Sequence, residues 1–237
     1  MKKKNNLLES RYKFSAQYFE SAAKLKQQII DKTIIPHQVE FQPGPQGKKI
    51  CWLSCPYCYG ESAINTDERP DTERLIKILN EIADGGVNKV TFAGWATDPL
   101  NSKSIDDLLE VAINRKMIFG FNTKPIKVSD RFINLLKEKE INANSWISLS
   151  IDSGSNEVFN KVHGMKTKAC LYDKILSNVL RIKEANEPIR KFDVSAAYLL
   201  NKFNSSKEEI SKFILDFKNA GCNVLRFSFA QPPRGLV

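Results

Sequence analysis

Residues 51–60 read CWLSCPYCYG and place three cysteines within eight positions, with Pro56, Tyr57 and Tyr59 around them. Cys51, Cys55 and Cys58 have the spacing C-x3-C-x2-C. A structural zinc ion takes four protein ligands in a tetrahedral array. A fourth would have to come from His37, His163, Cys170 or Cys222, each distant in sequence and without a second ligand at close spacing. A [4Fe–4S] cluster offers another solution, since three thiolates hold three irons and the fourth iron stays open to a further ligand. The five cysteines are an odd number, and three of them are crowded together. In a reducing compartment this argues for a metal or redox centre rather than for disulfides.

Outward from this loop, HQVEFQ (37–42) alternates and predicts a strand, and PGPQG (43–47) predicts a loop. The cysteines therefore follow a first strand. Upstream, Leu8, Tyr12, Phe19, Ala23 and Ile30 share one face of a helix predicted over 7–32. Downstream the pattern becomes regular. Asp71 caps a helix with Leu75, Ile78, Leu79 and Ile82 on its apolar face, ended by Gly85-Gly86. Residues 89–93 predict a second strand. Ser104 with Asp107 has capping-box spacing ahead of Leu108, Val111 and Ala112. Residues 117–121 predict a third strand, and Ser129 starts a helix through Phe132, Leu135 and Leu136. SWISLSID (145–152) predicts a fourth strand, 171–185 a longer helix, and 192–200 a fifth strand. Ser206 with Glu209 forms a second capping box before a helix facing inward through Ile210, Phe213, Ile214 and Phe217; 223–229 predicts the last strand.

Six strands separated by five helical segments call for parallel strands with right-handed crossovers, an α/β fold. A doubly wound open sheet and a barrel or part-barrel both satisfy the pattern, and both gather ligands at the carboxyl ends of the strands. The cysteine loop lies at that end. The expected organisation is an N-terminal helical segment, 1–36, and a core domain, 37–237. QPPRGLV closes the chain after the sixth strand with no further helix, which fits a minimal core or a chain cut from something longer.

With 237 residues there is room for one sizeable core but not for two generous domains. Apolar residues at 42 % beside 27 % charged exclude a disordered chain. MKKKNNLLES starts like the basic head of a signal peptide, but Glu9, Arg11 and Lys13 interrupt any apolar core. Nothing approaches the ~18 apolar residues of a membrane span, so a cytoplasmic protein without a membrane partner is expected. The net charge of +9 comes from lysines spread along the whole chain with acids interleaved. That pattern is a solvated surface rather than a nucleic-acid footprint, although an anionic cofactor or substrate would profit from the field.

With Tyr57 just before its last cysteine, and following a first strand in a βα series, Cys51-x3-Cys55-x2-Cys58 resembles the cluster motif of the radical S-adenosylmethionine (radical SAM) superfamily. The resemblance spans about residues 37–230. It implies a partial (β/α)6 TIM-like barrel, a [4Fe–4S] cluster on the three cysteines, and S-adenosylmethionine chelated to the free iron through its methionyl amino and carboxylate groups. It implies that one electron breaks the sulfonium–carbon bond and releases a 5′-deoxyadenosyl radical, which takes a hydrogen atom from the substrate while the protein supplies position and exclusion. A reducing partner such as flavodoxin or ferredoxin is implied as well. The overall likeness is to the branch that matures peptides and cofactors, so a peptide or small metabolite is the expected substrate. RNA modification is an alternative, motivated only by charge. A zinc-stabilised nucleic-acid-binding module is the rival of a different class, opposed by the missing fourth ligand and by the βα regularity.

Other positions follow from the resemblance. In the family a glycine-rich turn ending Glu-Pro follows the second strand and contacts the methionyl amine. Here the turn is AGWATDPL, with Gly94 permitting close backbone approach, Asp98 in place of Glu, and Trp95-Ala96 between. GFNTK ends the third strand and is similar to the family's Thr-Asn-Gly turn, so Asn122 and Thr123 either bond cofactor or substrate or shape the turn. SLSIDSGS resembles the family's Ser-Leu-Asp segment. Its Ser148, Ser150 and Asp152 alternate and so point to one side, the lumen of a barrel, where polar groups need partners or a polar ligand. NKVHG (160–164) matches a stretch that carries a basic residue in many relatives, a role open to Lys161 or His163. The resemblance places adenine near the ends of the last two strands. Tyr198 and Asn201 end the fifth; Arg226, Ser228 and Ala230 share one face of the sixth, with Phe227 and Phe229 on the other as core. Cys170 and Cys222 read as small buried residues. No residue is assigned a catalytic role.

Overall fold

The computed structural model describes residues 22–44, 51, 53–58, 71–94, 97–166 and 168–229. Six strands, β1 (Val39–Phe41), β2 (Lys89–Phe92), β3 (Ile118–Thr123), β4 (Trp146–Ser150), β5 (Asp193–Leu200) and β6 (Val224–Phe229), form one sheet in chain order. Every neighbouring pair is parallel. The helices are α1 (Ala22–Ile30), α2 (Thr72–Asp84), α3 (Ile105–Asn114), α4 (Asp130–Glu138), α5 (Asn156–Val162), α6 (Leu171–Ala185) and α7 (Lys207–Asn219), with a 3-10 turn at Pro99–Asn101. Residues at or beyond the carboxyl ends of all six strands line one cavity, so the sheet curls into an open barrel with β1 and β6 at its edges.

Alternation along each strand sorts the side chains. On β3, Phe119 and Phe121 point out to the helices, while Gly120 and Asn122 point in. Phe121 packs against Phe92 with ring centroids 4.9 Å apart and meets the Phe132 ring of α4 edge-on at 5.3 Å. Leu75 and Leu79 of α2, Ile175, Val179 and Ile182 of α6, and Phe213 and Phe217 of α7 are buried, all but Leu75 fully, so each of these helices lays an apolar stripe on the outer face. Ser129 Oγ accepts from Phe132 N at 2.9 Å and so caps α4.

The floor of the lumen is set by one close approach. A Cβ on Gly120 would lie 2.2 Å from two ring atoms of Trp146, its register partner on β4. Gly120→Ala must push the indole aside and is expected to cost about 1–3 kcal/mol, the usual penalty of overpacking. A urea midpoint unchanged from wild type would refute this packing.

The structure departs from the sequence expectations in several places. Ser104 does precede α3, but it has helical dihedrals and makes no cap bond; its hydroxyl pairs with Thr72 Oγ1 at 2.7 Å. A turn in which Ile105 N donates to Ser102 O at 3.4 Å has already begun the winding at Ser104, so no capping box forms. Only half of the second box exists. Ser206 Oγ accepts from Glu209 N, but the Glu209 carboxylate reaches instead to Gly154 N at 2.7 Å and Ser155 Oγ at 2.6 Å. Helix α5 was not expected; Ser155 caps it through Val158 N. Of the helix predicted over 7–32 the described part is α1, where Ile30 is 61 % exposed rather than packed. Residues 45–47 of the PGPQG loop, Trp95-Ala96, Ala230 and the QPPRGLV tail lie outside the described residues. Among the described residues no helix is long and apolar enough to cross a membrane.

Candidate active site

The cavity measures about 870 Å³ and opens at the carboxyl ends of the strands. Cys51, Cys55 and Cys58 all line it. Cys55 is 7 % exposed, and the other two are half-buried. Burial pushes the Cys55 thiol up to about 11, against the opposing charge of Lys124. Cys58 N donates to Cys55 O at 3.0 Å, which folds the short C-x2-C turn back on itself.

A polar network ties this turn to the barrel. Asp152, just past β4, takes φ +64°, the left-handed conformation that Asp tolerates better than most residues. Its carboxylate accepts from Lys124 Nζ at 2.9 Å, Tyr57 Oη at 3.0 Å and Leu199 N at 2.7 Å. Lys124 Nζ also donates to Ser150 O at 2.8 Å. Burial alone would raise the Asp152 pKa; the Lys124 ammonium and the hydrogen bonds outweigh it and hold the carboxyl below its usual value. His163 contributes little charge at neutral pH, because burial drives its own pKa down to about 3.

Asp98 forms a second latch. It caps the 3-10 turn through Leu100 N at 3.0 Å and reaches across to β3, accepting from Thr123 Oγ1 at 2.6 Å and Lys124 N at 2.5 Å. Burial pushes its carboxyl up to about 6 in spite of these three donors. The space above Gly94 is filled by the carbonyl of Thr97, 1.7 Å from where a Cβ would stand. Any side chain there would force the turn apart.

A sequence model of the radical SAM superfamily matches residues 48–214, more than two thirds of the chain. The chain belongs to the radical SAM superfamily. Enzymes of this superfamily use a [4Fe–4S] cluster and S-adenosylmethionine. Over 176 residues, 74 % of the chain, it is 24 % identical to the sporulation killing factor maturation protein SkfB of Bacillus subtilis (strain 168), spanning 39 % of that protein. Streptococcus suis SuiB bound to S-adenosylmethionine shares its fold with a TM-score of 0.65 and 18 % identity, over 90 % of this chain and 44 % of SuiB. The protein anSMEcpe with bound AdoMet gives 0.57 and 16 %, over 84 % and 51 %. The chain thus spans less than half the length of SkfB and of SuiB. The open six-stranded barrel is the fold these structures share, and radical SAM membership displaces the zinc-module alternative.

The donor set suits the superfamily's cluster. Among the described residues no three His, Cys, Asp or Glu side chains converge as a single-ion site requires. Three thiols that line one cavity offer each of three irons its own thiolate. Asn122 also lines the cavity and makes no side-chain hydrogen bond among the described residues, which leaves its amide for a ligand.

Of the residues expected at this radical SAM site, Tyr57, Gly94, Asp98, Asn122, Thr123, Ser150, Asp152, Arg226 and Ser228 line the cavity. Asp98 and Asp152 are there as latches with their oxygens taken by protein donors. Ser148 is on the inward face but deeper, 3.4 Å from Ser195 Oγ, and does not reach the cavity. Tyr198 is a correction. It is fully buried, meets the Phe213 ring edge-on at 4.7 Å and donates to Asn204 O at 2.7 Å. Parity explains this: Ala197 and Leu199 face the lumen, so Tyr198 faces α7. Asn201 shapes the following turn with Asn204. Lys161 pairs with Glu157 on the surface, away from the site. Phe227 packs outside as expected, but Phe229 lines the cavity rim at 80 % exposure. Cys170 is exposed, not buried; Cys222 is half-buried, its thiol pushed up to about 12 by burial. Lys124, Glu40, Gln42 and Thr97 were missed. For Lys124 the signal was present, a lysine directly after the third strand in GFNTK.

Proposed function

We propose that Cys51, Cys55 and Cys58 hold a [4Fe–4S] cluster and that the cavity above them takes S-adenosylmethionine and the reacting part of a peptide. The observation that carries this reading is the placement of all three thiols on one wall of a cavity at the carboxyl ends of six parallel strands. When bound, the cluster supplies the electron that splits the sulfonium–carbon bond of S-adenosylmethionine and so generates the radical that takes a hydrogen atom from the substrate.

The chain's own residues do the rest. Tyr57 and Asp152 hold the cysteine turn against the β4 end. Lys124 neutralises Asp152, so the wall of the cavity carries a paired charge rather than a bare one. Asn122, Ser150 and Ser228 offer polar groups for the cofactor, and Arg226 offers a cation at the β6 edge. The apolar walls, Leu53, Ala93, Ile126 and Leu199, keep water from the reacting atoms. A peptide is preferred over a small metabolite because SkfB is named for maturing the sporulation killing factor, and SuiB has been crystallised bound to its precursor peptide SuiA. A dedicated electron donor of the flavodoxin or ferredoxin kind fits this chemistry.

Anaerobic purification tests the reading. The protein is expected to be brown, to hold about four irons per chain, to bleach in air, and to convert S-adenosylmethionine to 5′-deoxyadenosine when reduced with dithionite. A colourless protein with one zinc and no iron, or an iron–sulfur protein that leaves S-adenosylmethionine intact, would falsify it.

A further inference from the structure

Five charged side chains line the cavity: Glu40, Asp98, Lys124, Asp152 and Arg226. The protein itself occupies four of them. Glu40 accepts from Gln42 Nε2 at 2.7 Å. Asp98 is filled by Leu100 N, Thr123 Oγ1 and Lys124 N, and Lys124 and Asp152 bind each other at 2.9 Å. Arg226 has no hydrogen-bonding or ionic partner among the described residues. Strand parity turns it toward the lumen. Arg226 is the register partner of Ala197, Ala197 is the partner of Ser150, and all three line the cavity. Ala197 is too small to fill the space between the other two. The adjacent Phe227 packs outward on Phe213 of α7. Strand β6 pairs with β5 alone, so among the described residues no strand covers the edge beside Arg226. Ser228 lines the cavity next to that edge, and Phe229 stands at the rim. The lumen is thus open sideways at β6, with an unneutralised guanidinium in the opening.

We infer that Arg226 is a specificity-determining residue: it binds a carboxylate of the peptide substrate at the open β6 edge and so selects peptides with an acidic residue close to the residue that reacts. This rests on the proposed function and names the chemistry of its substrate. The planar fork of a guanidinium matches a carboxylate with two parallel hydrogen bonds, and in a peptide that group belongs to Asp, Glu or the C-terminus. The chain's net charge of +9 draws an acidic peptide toward the opening. The cysteine turn is tied to the end of β4 by Tyr57 and Asp152, two strands away from β6, so Arg226 stands on the side of the lumen left to the substrate. A site built to bond an anionic group discriminates strongly against the analogue that lacks it.

Selection from a library of random decapeptides, displayed on their own mRNA and panned on the immobilised protein without oxygen, tests the inference. Wild type is expected to enrich peptides with Asp or Glu at a recurring position. Arg226→Glu is expected to lose that preference and to enrich Lys or Arg there instead, a swap that a misfolded variant could not produce. The best wild-type peptide is then compared with its counterpart carrying the amide in place of the acid. Wild type should bind the acid about tenfold more tightly, Arg226→Gln should bind the two equally, and Arg226→Lys, with the charge but not the fork, should fall between. Arg226 is exposed, so Arg226→Gln should fold and bind S-adenosylmethionine within about twofold of wild type. The same enriched sequences from wild type and Arg226→Glu, or no acidic preference in the wild type, overturn the inference. Weakened S-adenosylmethionine binding by Arg226→Gln with the acidic preference intact assigns the arginine to the carboxylate of the cofactor and overturns it as well. A wild type that assembles no cluster and leaves S-adenosylmethionine intact overturns the proposed function instead, and its choice of peptides still reads the site at Arg226.

Discussion

Cys55→Ala protein, prepared without oxygen, is expected to hold no [4Fe–4S] cluster and to cleave S-adenosylmethionine at background rate, while Cys170→Ala keeps both. A cluster with three protein thiolates has no spare ligand: each sulfur holds one iron, and two cannot keep the cube. Cys51→Ala and Cys58→Ala should fail in the same way. Cys55 differs from the other two in depth. It is 7 % exposed, against the His163 ring, so its loss also leaves Nδ1 with Tyr57 as its remaining neighbour. Cys55→Ser keeps the volume and a hydroxyl for Nδ1, and separates loss of the sulfur from loss of packing. Cys170, by contrast, is exposed ahead of α6 and lines no part of the cavity. Iron content, the EPR signal of the reduced protein and 5′-deoxyadenosine formation are the measurements. Full cleavage by the Cys55→Ala protein would mean that the sulfur trio is misassigned.

The βα order was legible because its signal is local. A stripe such as Ile175, Val179 and Ile182 can bury only as a helix, and SWISLSID can bury only every second residue. The cysteine motif was legible because the three sulfurs act within eight residues. Parity carried part of the site: Ser150 was expected in the lumen from alternation and lines the cavity. The same rule, applied to β5, would have turned Tyr198 away, since Leu199 next to it must then face inward; proximity to the strand end misled. What stayed hidden depends on long-range closure. Asp98 looks like a cofactor contact until the structure shows Thr123 and Lys124, some 25 residues on, occupying its oxygens. Helix α5 has only seven residues, too few for a period to show, and its C-terminal turn is what carries His163 to Cys55. The short α5 also explains why the burial of His163 was not foreseen: no apolar stripe announced that its position is buried.

Asp152→Ala is expected to destabilise the protein by at least about 3 kcal/mol, the lower end of the 3–5 kcal/mol lost when one partner of a buried ion pair is removed. The side chains of Lys124 and Asp152 are 15 % and 5 % exposed, so the ammonium left behind cannot be rescued fully by water. Tyr57 Oη and Leu199 N lose their acceptor as well, and Ala at φ +64° adds ~1–2 kcal/mol of backbone strain that Asp does not incur to the same degree. Asp152→Asn tolerates the left-handed backbone and keeps one acceptor for Leu199 N, but presents an amide donor to the ammonium. It should fall between wild type and Asp152→Ala. Lys124→Met combined with Asp152→Asn removes the stranded charge and should recover part of the loss, so a double-mutant cycle in urea reads the coupling directly. The pH dependence has a definite sign. The folded pKa of Asp152 lies below its unfolded value, so its contribution is fully present above the usual carboxylate range and is lost as pH falls through the folded pKa. The gap between wild type and Asp152→Asn should therefore be constant near neutrality and narrow in acid. Because the Asp152 carboxylate joins the cysteine turn, the β3 end and β5, the variants should also bind the cluster less firmly than their residual stability alone predicts. An Asp152→Ala protein within about 0.5 kcal/mol of wild type would show that the network merely decorates a turn held by other contacts.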